Sequence, residues 1–144
     1  MSFRETVIQD LINHEGKESK DYLDTMGIES IAVGRNLRHV GLSEDEIMYL
    51  LKNDIDRVEK QLDTYFSWWT NKHESVKRML ISFVFNVGIG TARKFPKMMK
   101  AIEEDDYDEA VEQLLYNDKG EPSKYSRQVG VRAKHMAEWL KEAK

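Results

Sequence analysis

The chain has 144 residues, which is enough for one well-buried core but short for two full domains. Apolar residues make up 40% and charged residues 33%, a balance typical of a folded globular protein rather than a disordered one. The absence of cysteine excludes disulfides and thiolate chemistry, and the net charge of −4 disfavours general nucleic-acid binding.

No apolar run reaches the roughly 20 residues that a transmembrane helix needs, and the N-terminus lacks a signal-peptide pattern. We therefore expect a cytoplasmic product without stable membrane insertion. The four histidines have no metal-ligand spacing, so neither a metal nor another cofactor is predicted. Nothing in the sequence indicates an oligomer, and we expect a monomer.

The first predicted helix runs from about Phe3 to Asn13, with a capping box formed by Ser2 and Glu5. Gly16 ends this helix and leaves Glu15 at the negative end of the helix dipole, where an ionised carboxylate is disfavoured. A carboxylic acid that keeps its proton can act as a general acid. Apolar residues at helical spacing predict a buried stripe: Phe3, Val7, Ile8, Leu11 and Ile12.

The helical period is lost from Asp21 to about Leu37, and this loss predicts a small antiparallel sheet. Asp24 begins a stretch with turn chemistry, and residues 30–34 alternate so that small side chains, Ser30 among them, form a side that admits a substrate. Two acids and a hydroxyl in this arrangement favour hydrolysis of a glycosidic bond. Each residue also has a purely structural interpretation, as a helix end, a turn former and a strand residue.

Ser43 and Glu46 form a second capping box, which opens a long helix extending to about Asp63. The aromatic residues of 65–69 interrupt the helical pattern. Core packing is the preferred interpretation, with sugar stacking by one tryptophan as the alternative. Further helices are predicted after caps at Asn71 and Asp106, around Pro96, and from Ser126 onwards, and the helix after Asn71 is apolar enough to be the most buried.

These elements predict a single domain, 1–144, of the α+β class and mainly α. A small antiparallel-sheet lobe at about 14–42 carries the site. A connecting helix at about 43–63 joins it to an all-helical lobe made of 1–13 and about 64–144.

The chain resembles the phage-type lysozymes, a family of phage endolysins and related muramidases, over essentially its whole length. The matching stretches are Glu15-Gly16, Tyr22-x-Asp24-Thr25-x-Gly27, Ser30-Ile31-x-Val33-Gly34, Phe85-Asn86-Val87-Gly88 and Arg132-Ala133-Lys134. The resemblance implies a lysozyme-like fold and three catalytic residues.

In this family pattern, Glu15 matches the general acid, and Asp24 matches the carboxylate that acts with water or stabilises positive charge. Ser30 supplies a hydroxyl where many members have threonine. The resemblance also implies that Phe85 and Asn86 line the sugar cleft and that Arg132 lies close to Glu15.

The resemblance further implies an endolysin that hydrolyses the β-1,4 bond between N-acetylmuramic acid and N-acetylglucosamine in bacterial peptidoglycan. Such a protein accumulates in the host cytoplasm until a membrane pore lets it reach the wall. A serine between the two acids suits a held water and favours inversion. A lytic transglycosylase, which needs one acid, and a non-catalytic wall-binding or phage-tail assembly module are the alternatives. Many wall-degrading lysozymes are basic, and the acidic charge here disfavours fast electrostatic steering.

Overall fold

The chain is mainly helical with one small sheet, as the sequence predicts. The computed structural model describes residues 2–143, without the side chains of Val7 and His14. The chain divides into two compact units, Met1–Leu50 and Leu51–Lys144. The lobe boundaries proposed from the sequence, including the assignment of 1–13 to the helical lobe, stay a prediction. Among the described residues, no helix has the length and apolar character needed to cross a membrane.

The first helix, α1, spans Phe3–Glu15. Its predicted capping box is confirmed, since Ser2 Oγ accepts from the Glu5 amide at 3.1 Å and the Glu5 carboxylate accepts from the Ser2 amide at 3.3 Å. Gly16 ends the helix with φ 80°, a conformation that favours glycine. Glu15 is therefore the last helical residue, two positions beyond the predicted end.

The apolar stripe of α1 is exposed. Phe3 is 86% exposed, and Ile8 and Leu11 are 50% exposed each. The expected burial is therefore wrong for these residues, while the side chain of Val7 lies outside the described residues. Among the described residues the hydrophobic core begins only at Val58, so the first unit has no buried core that this stripe could join.

The predicted antiparallel sheet is confirmed. It has three strands in the order β1-β2-β3, spanning Glu18–Leu23, Glu29–Ala32 and Arg35–Asn36. The alternating run predicted for 30–34 stops at Ala32, because Val33 and Gly34 turn the chain into β3. Ala32, the last residue of β2, and Gly34 have φ values of 61° and 65°, which lie outside the range of a regular strand.

The long helix α2 spans Glu44–Tyr65, and its capping box between Ser43 and Glu46 is confirmed. Arg35 of β3 lies 2.6 Å from the Glu46 carboxylate and also donates to the Gly41 carbonyl at 3.2 Å. The Ser43 amide, followed by Arg35, lowers the pKa of Glu46 from 4.5 to about 2. These contacts tie the last strand to the beginning of α2.

The second unit is all helical. After α2 come a 3₁₀ helix and six α-helices: Ser67–Asn71, then α3 Glu74–Val87, α4 Ile89–Ala92, α5 Pro96–Glu103, α6 Tyr107–Leu115, α7 Lys124–Val129 and α8 Val131–Glu142. Helix α3 is the predicted central element, and its Val76, Met79 and Phe83 are fully buried. Trp69 is 7% exposed, which confirms core packing for this aromatic residue.

Two predicted helix starts are wrong. Asn71 lies in the 3₁₀ helix, and the cap of α3 is His73, whose Nδ1 accepts from the Ser75 amide at 3.1 Å. The last helical stretch begins before Ser126, because Ser123 caps α7 by accepting from the Ser126 amide at 3.0 Å. Gly130, with φ 57°, then separates α7 from α8. The predicted starts at Asp106 and Pro96 are confirmed.

Candidate active site

Glu15 is exposed at the end of α1, and its carboxyl group lies against the β2–β3 turn. A Cβ atom built on Gly34 would lie 2.7 Å from Glu15 Oε2 and 3.2 Å from its Cδ. Non-bonded heavy atoms normally stay about 3.5–4.0 Å apart, so a methyl group at position 34 would force the Glu15 carboxyl group to shift. Among the described side chains of the first unit, no basic group forms an ion pair with Glu15.

Asp24 follows β1 directly and uses one of its two carboxylate oxygens to hold the turn. Its Oδ1 accepts from the Met26 amide at 2.8 Å and from the Ile28 amide at 2.9 Å. The structural interpretation of Asp24 as a turn former is therefore confirmed. Its Oδ2 makes no hydrogen bond to the residues of the first unit that the structure describes, so one oxygen remains available for chemistry.

Ser30 lies in the middle strand and is only 3% exposed. It pairs with Tyr22 on one side and with Asn36 on the other, and its hydroxyl donates to the Ile28 carbonyl at 3.3 Å. The expectation that this side of the strand is open is wrong at Ser30, because its side chain is buried. It holds for Ala32 and Gly34, which are exposed.

Ile28 connects Asp24 with Ser30. Its amide donates to the Asp24 carboxylate, while its carbonyl accepts from the Ser30 hydroxyl and from the Asp24 amide. The peptide groups of one residue thus fix two of the three predicted catalytic residues.

The register of β1 against β2 shifts between Glu18 and Tyr22. Glu18 lies opposite Ala32, and Tyr22 lies opposite Ser30, so a four-residue step in β1 matches a two-residue step in β2. Two residues of an antiparallel strand cover about 7 Å. The extra residues of β1 therefore form an irregularity between Glu18 and Tyr22, in the strand that leads to Asp24.

The three residues predicted to bind substrate lie on α3 and α8 in the second unit. Phe85 is 44% exposed, and the Asn86 Oδ1 accepts from the Tyr125 hydroxyl at 3.0 Å. Arg132 donates to both the carbonyl and the hydroxyl of Ser82 at 3.3 Å. Ser82 precedes Asn86 by one helical turn, so Asn86 and the Arg132 contact share a face of α3.

Tyr125 completes this cluster and is not predicted from the sequence. Its ring packs edge-on against Phe83 at 5.2 Å and Phe95 at 6.4 Å between centroids. Burial raises the pKa of the Tyr125 hydroxyl, and the positive charge of Arg132 opposes this shift. No motif signals the role, because Tyr125 lies 39 residues from the asparagine that it supports.

In its described part, the first unit thus offers the Glu15 carboxyl group, which forms no ion pair there, and the Asp24 carboxylate, which has one oxygen free of hydrogen bonds there. Such a pair can donate a proton to a leaving group and direct a water molecule. The assignment of Glu15, Asp24 and Ser30 as the catalytic set stays a prediction. So does the substrate role of Phe85, Asn86 and Arg132.

Comparison with protein families gives one match. The sequence model described as Phage lysozyme matches residues 12–138, a stretch that includes all six predicted site residues. A comparison with curated proteins gives no match.

Proposed function

The chain belongs to the phage lysozyme family, whose members break down bacterial peptidoglycan, and we propose that it is an endolysin-type muramidase. The bond that we propose it hydrolyses is the β-1,4 linkage between N-acetylmuramic acid and N-acetylglucosamine. The observation that carries this proposal is that the first unit presents two carboxyl groups, Glu15 at the end of α1 and Asp24 after β1, and that Asp24 holds its turn through Oδ1.

In the proposed reaction, Glu15 protonates the oxygen of the leaving sugar. Asp24 uses its free Oδ2 to direct the attacking water, while its Oδ1 remains bonded to the turn. This division explains how one carboxylate serves both turn and reaction. A general acid or base of this kind contributes about 10²- to 10⁴-fold to the rate.

Ser30 is the proposed partner of the water. Its hydroxyl donates to Ile28, and its oxygen keeps acceptor capacity for a proton of the water. Because Ser30 is almost fully covered, contact with this water requires the side chains around it to move. A hydroxyl that holds water beside the second acid favours single displacement, and we therefore propose inversion at the anomeric carbon.

We propose that Asn86, Phe85 and Arg132 contact the glycan. Asn86 is positioned by Tyr125, which leaves its amide NH₂ available as a donor to a sugar. The exposed ring of Phe85 offers an apolar surface, and the Arg132 guanidinium keeps donors beyond those that bind Ser82.

The proposal extends to the setting of the reaction. We propose that the protein accumulates in the host cytoplasm until the membrane is opened, and that it acts as a monomer. The acidic net charge supports the further expectation that nucleic acid is not a partner.

The decisive experiment compares the parent with Glu15→Gln on purified Gram-negative peptidoglycan. We expect the parent to release new reducing ends and Glu15→Gln to lose at least about 10²-fold of this activity. Glu18→Gln is the matched control, because Glu18 is another exposed acid three residues away. Equal clearing by Glu15→Gln and the parent would show that the acid assignment is wrong.

The products separate the alternatives. Proton NMR of the first product should show the α-anomer if the reaction inverts. Muropeptides lighter by one water would indicate a lytic transglycosylase instead. Wall binding without any new reducing ends would indicate a non-catalytic module.

A further inference from the structure

A pocket of about 510 Å³ lies in the second unit, next to the aromatic segment that follows α2. One wall comes from the end of α2 and the 3₁₀ helix, and the other comes from Arg93, which follows α4, and from α5. The side chains that matter for its chemistry are Tyr65, Phe66, Trp68, Arg93, Lys100 and Glu103. The pocket shares no residue with the predicted catalytic or substrate-binding sets.

The aromatic wall of the pocket is partly exposed. Trp69 is turned into the core, where its indole N–H donates to Asp63 at 2.7 Å, and its neighbour Trp68 lines the pocket. Phe66 packs edge-on against Trp68 at 5.9 Å, and Tyr65 is 46% exposed. The indole N–H of Trp68 makes no hydrogen bond within the described part of the second unit, so it is available as a donor.

The opposite wall is positively charged. The Arg93 guanidinium lies 4.1 Å over the Tyr65 ring, and Lys100 lines the same pocket. Neither cation forms a salt bridge among the described residues of the second unit. Residues 93–100 contain four basic side chains and no acidic one, in a protein whose net charge is −4. Glu103, at the edge of the pocket, is its one acidic side chain.

Aromatic faces beside unpaired cations suit a polymer of sugar rings that carries carboxylates. The C–H face of a pyranose packs against an aromatic ring, whose π face is electronegative. Carboxylates form charge-assisted hydrogen bonds with guanidinium and ammonium groups. Peptidoglycan combines both features, since its glycan strands carry stem peptides with free carboxylates.

We propose that this pocket is a second peptidoglycan-binding site, used for anchoring to the wall rather than for bond cleavage. A sugar ring packs on Trp68, and a stem-peptide carboxylate binds Lys100 and Arg93, which is itself held over the Tyr65 ring. The choice of peptidoglycan as the polymer rests on the proposed function as a muramidase. Local charge at this pocket attracts the anionic wall, although the protein as a whole is acidic.

The test measures equilibrium binding of the full chain to purified, insoluble sacculi in a Glu15→Gln background, so that the polymer is not consumed. Trp68→Ala and Lys100→Gln should each raise the dissociation constant by about threefold to tenfold. The matched controls are Trp139→Ala and Arg78→Gln, because Arg78 lies 4.7 Å over the Trp139 ring outside the pocket. These controls should bind like the background protein.

Unchanged binding of both pocket variants would overturn the proposal. Weakened binding to single-stranded DNA with unchanged binding to sacculi would also overturn it and would assign the pocket to nucleic acid. If Trp68→Ala fails to fold, Lys100→Gln and Arg93→Gln decide, since both side chains are exposed. If the parent with Glu15 intact hydrolyses no peptidoglycan, the proposed enzymatic function is wrong. The binding measurement in the Glu15→Gln background still tests whether the pocket binds sacculi.

Discussion

Gly34→Ala tests whether the β2–β3 turn places the Glu15 carboxyl group. Alanine at φ 65° costs about 1–2 kcal/mol of unfolding free energy, because left-handed backbone is unfavourable for L residues. Its methyl group would also lie 2.7 Å from Glu15 Oε2. The carboxyl group must then retreat by about 1 Å to reach normal contact. A displacement of this size in a catalytic group lowers the rate by about 10²-fold.

The measurement pairs the rate of reducing-end release with thermal unfolding. Gly120→Ala is the matched control: Gly120 has φ 76°, but nothing lies within 4 Å of its added Cβ. Both variants should lose a similar amount of unfolding free energy. Only Gly34→Ala should have a lower activity per folded molecule than the parent. Parent-like activity of folded Gly34→Ala would refute the claim that Gly34 sets the position of the Glu15 carboxyl group.

Three further predictions concern side chains that form hydrogen bonds within one of the two units: Asp24, Glu46 and Tyr125. Asp24→Asn keeps the acceptor for the Met26 and Ile28 amides, so it should lose about 10²-fold or more in activity at nearly parental stability, whereas Asp24→Ala should also lose about 1–2 kcal/mol in denaturant unfolding. The lowered pKa of Glu46 means that its contribution to stability is complete above about pH 4.5 and is lost as the pH falls through about 2; thermal unfolding of Glu46→Gln should therefore vary less with pH in that window than the parent. Tyr125→Phe removes the bond to Asn86, so it should cost about 1 kcal/mol of stability and raise KM with little change in kcat, as steady-state kinetics would show.

Local signals predicted most of the helices and strands. Capping boxes at Ser2 and Ser43 mark the starts of α1 and α2, because a cap joins residues only three apart and is visible in the sequence. The same local reasoning placed the cap of α3 at Asn71, since a histidine ring is a rare cap and gives no such signal. The exposure of the α1 stripe was missed because helical spacing identifies an apolar face but not the surface that covers it.

Longer-range contacts account for what the sequence does not reveal. Lys72 binds both the Glu103 carbonyl and the Asp105 carboxylate at 2.8 Å, across more than thirty residues. This contact and a bond from Tyr107 hold Asp105 at φ 59°, and the hydrogen bond from Lys72, followed by that from Tyr107, lowers the pKa of the Asp105 carboxyl. Neither partner belongs to a spacing pattern, so only the fold brings them together.

The same difference in range separates the two parts of the predicted site. Asp24 and Ser30 are fixed through Ile28, which lies within four residues of each. For these two residues, the spacing along the chain largely determines the spacing in the structure, so a local sequence motif can predict their relative placement. Asn86 and Arg132 instead depend on partners 39 and 50 residues away. A substitution at Tyr125 or Ser82 should therefore alter the contacts with glycan while leaving the short segment that holds the acids intact. Steady-state kinetics would reveal this division as a raised KM with an unchanged kcat in Tyr125→Phe. A raised KM together with a lowered kcat in this variant would contradict it.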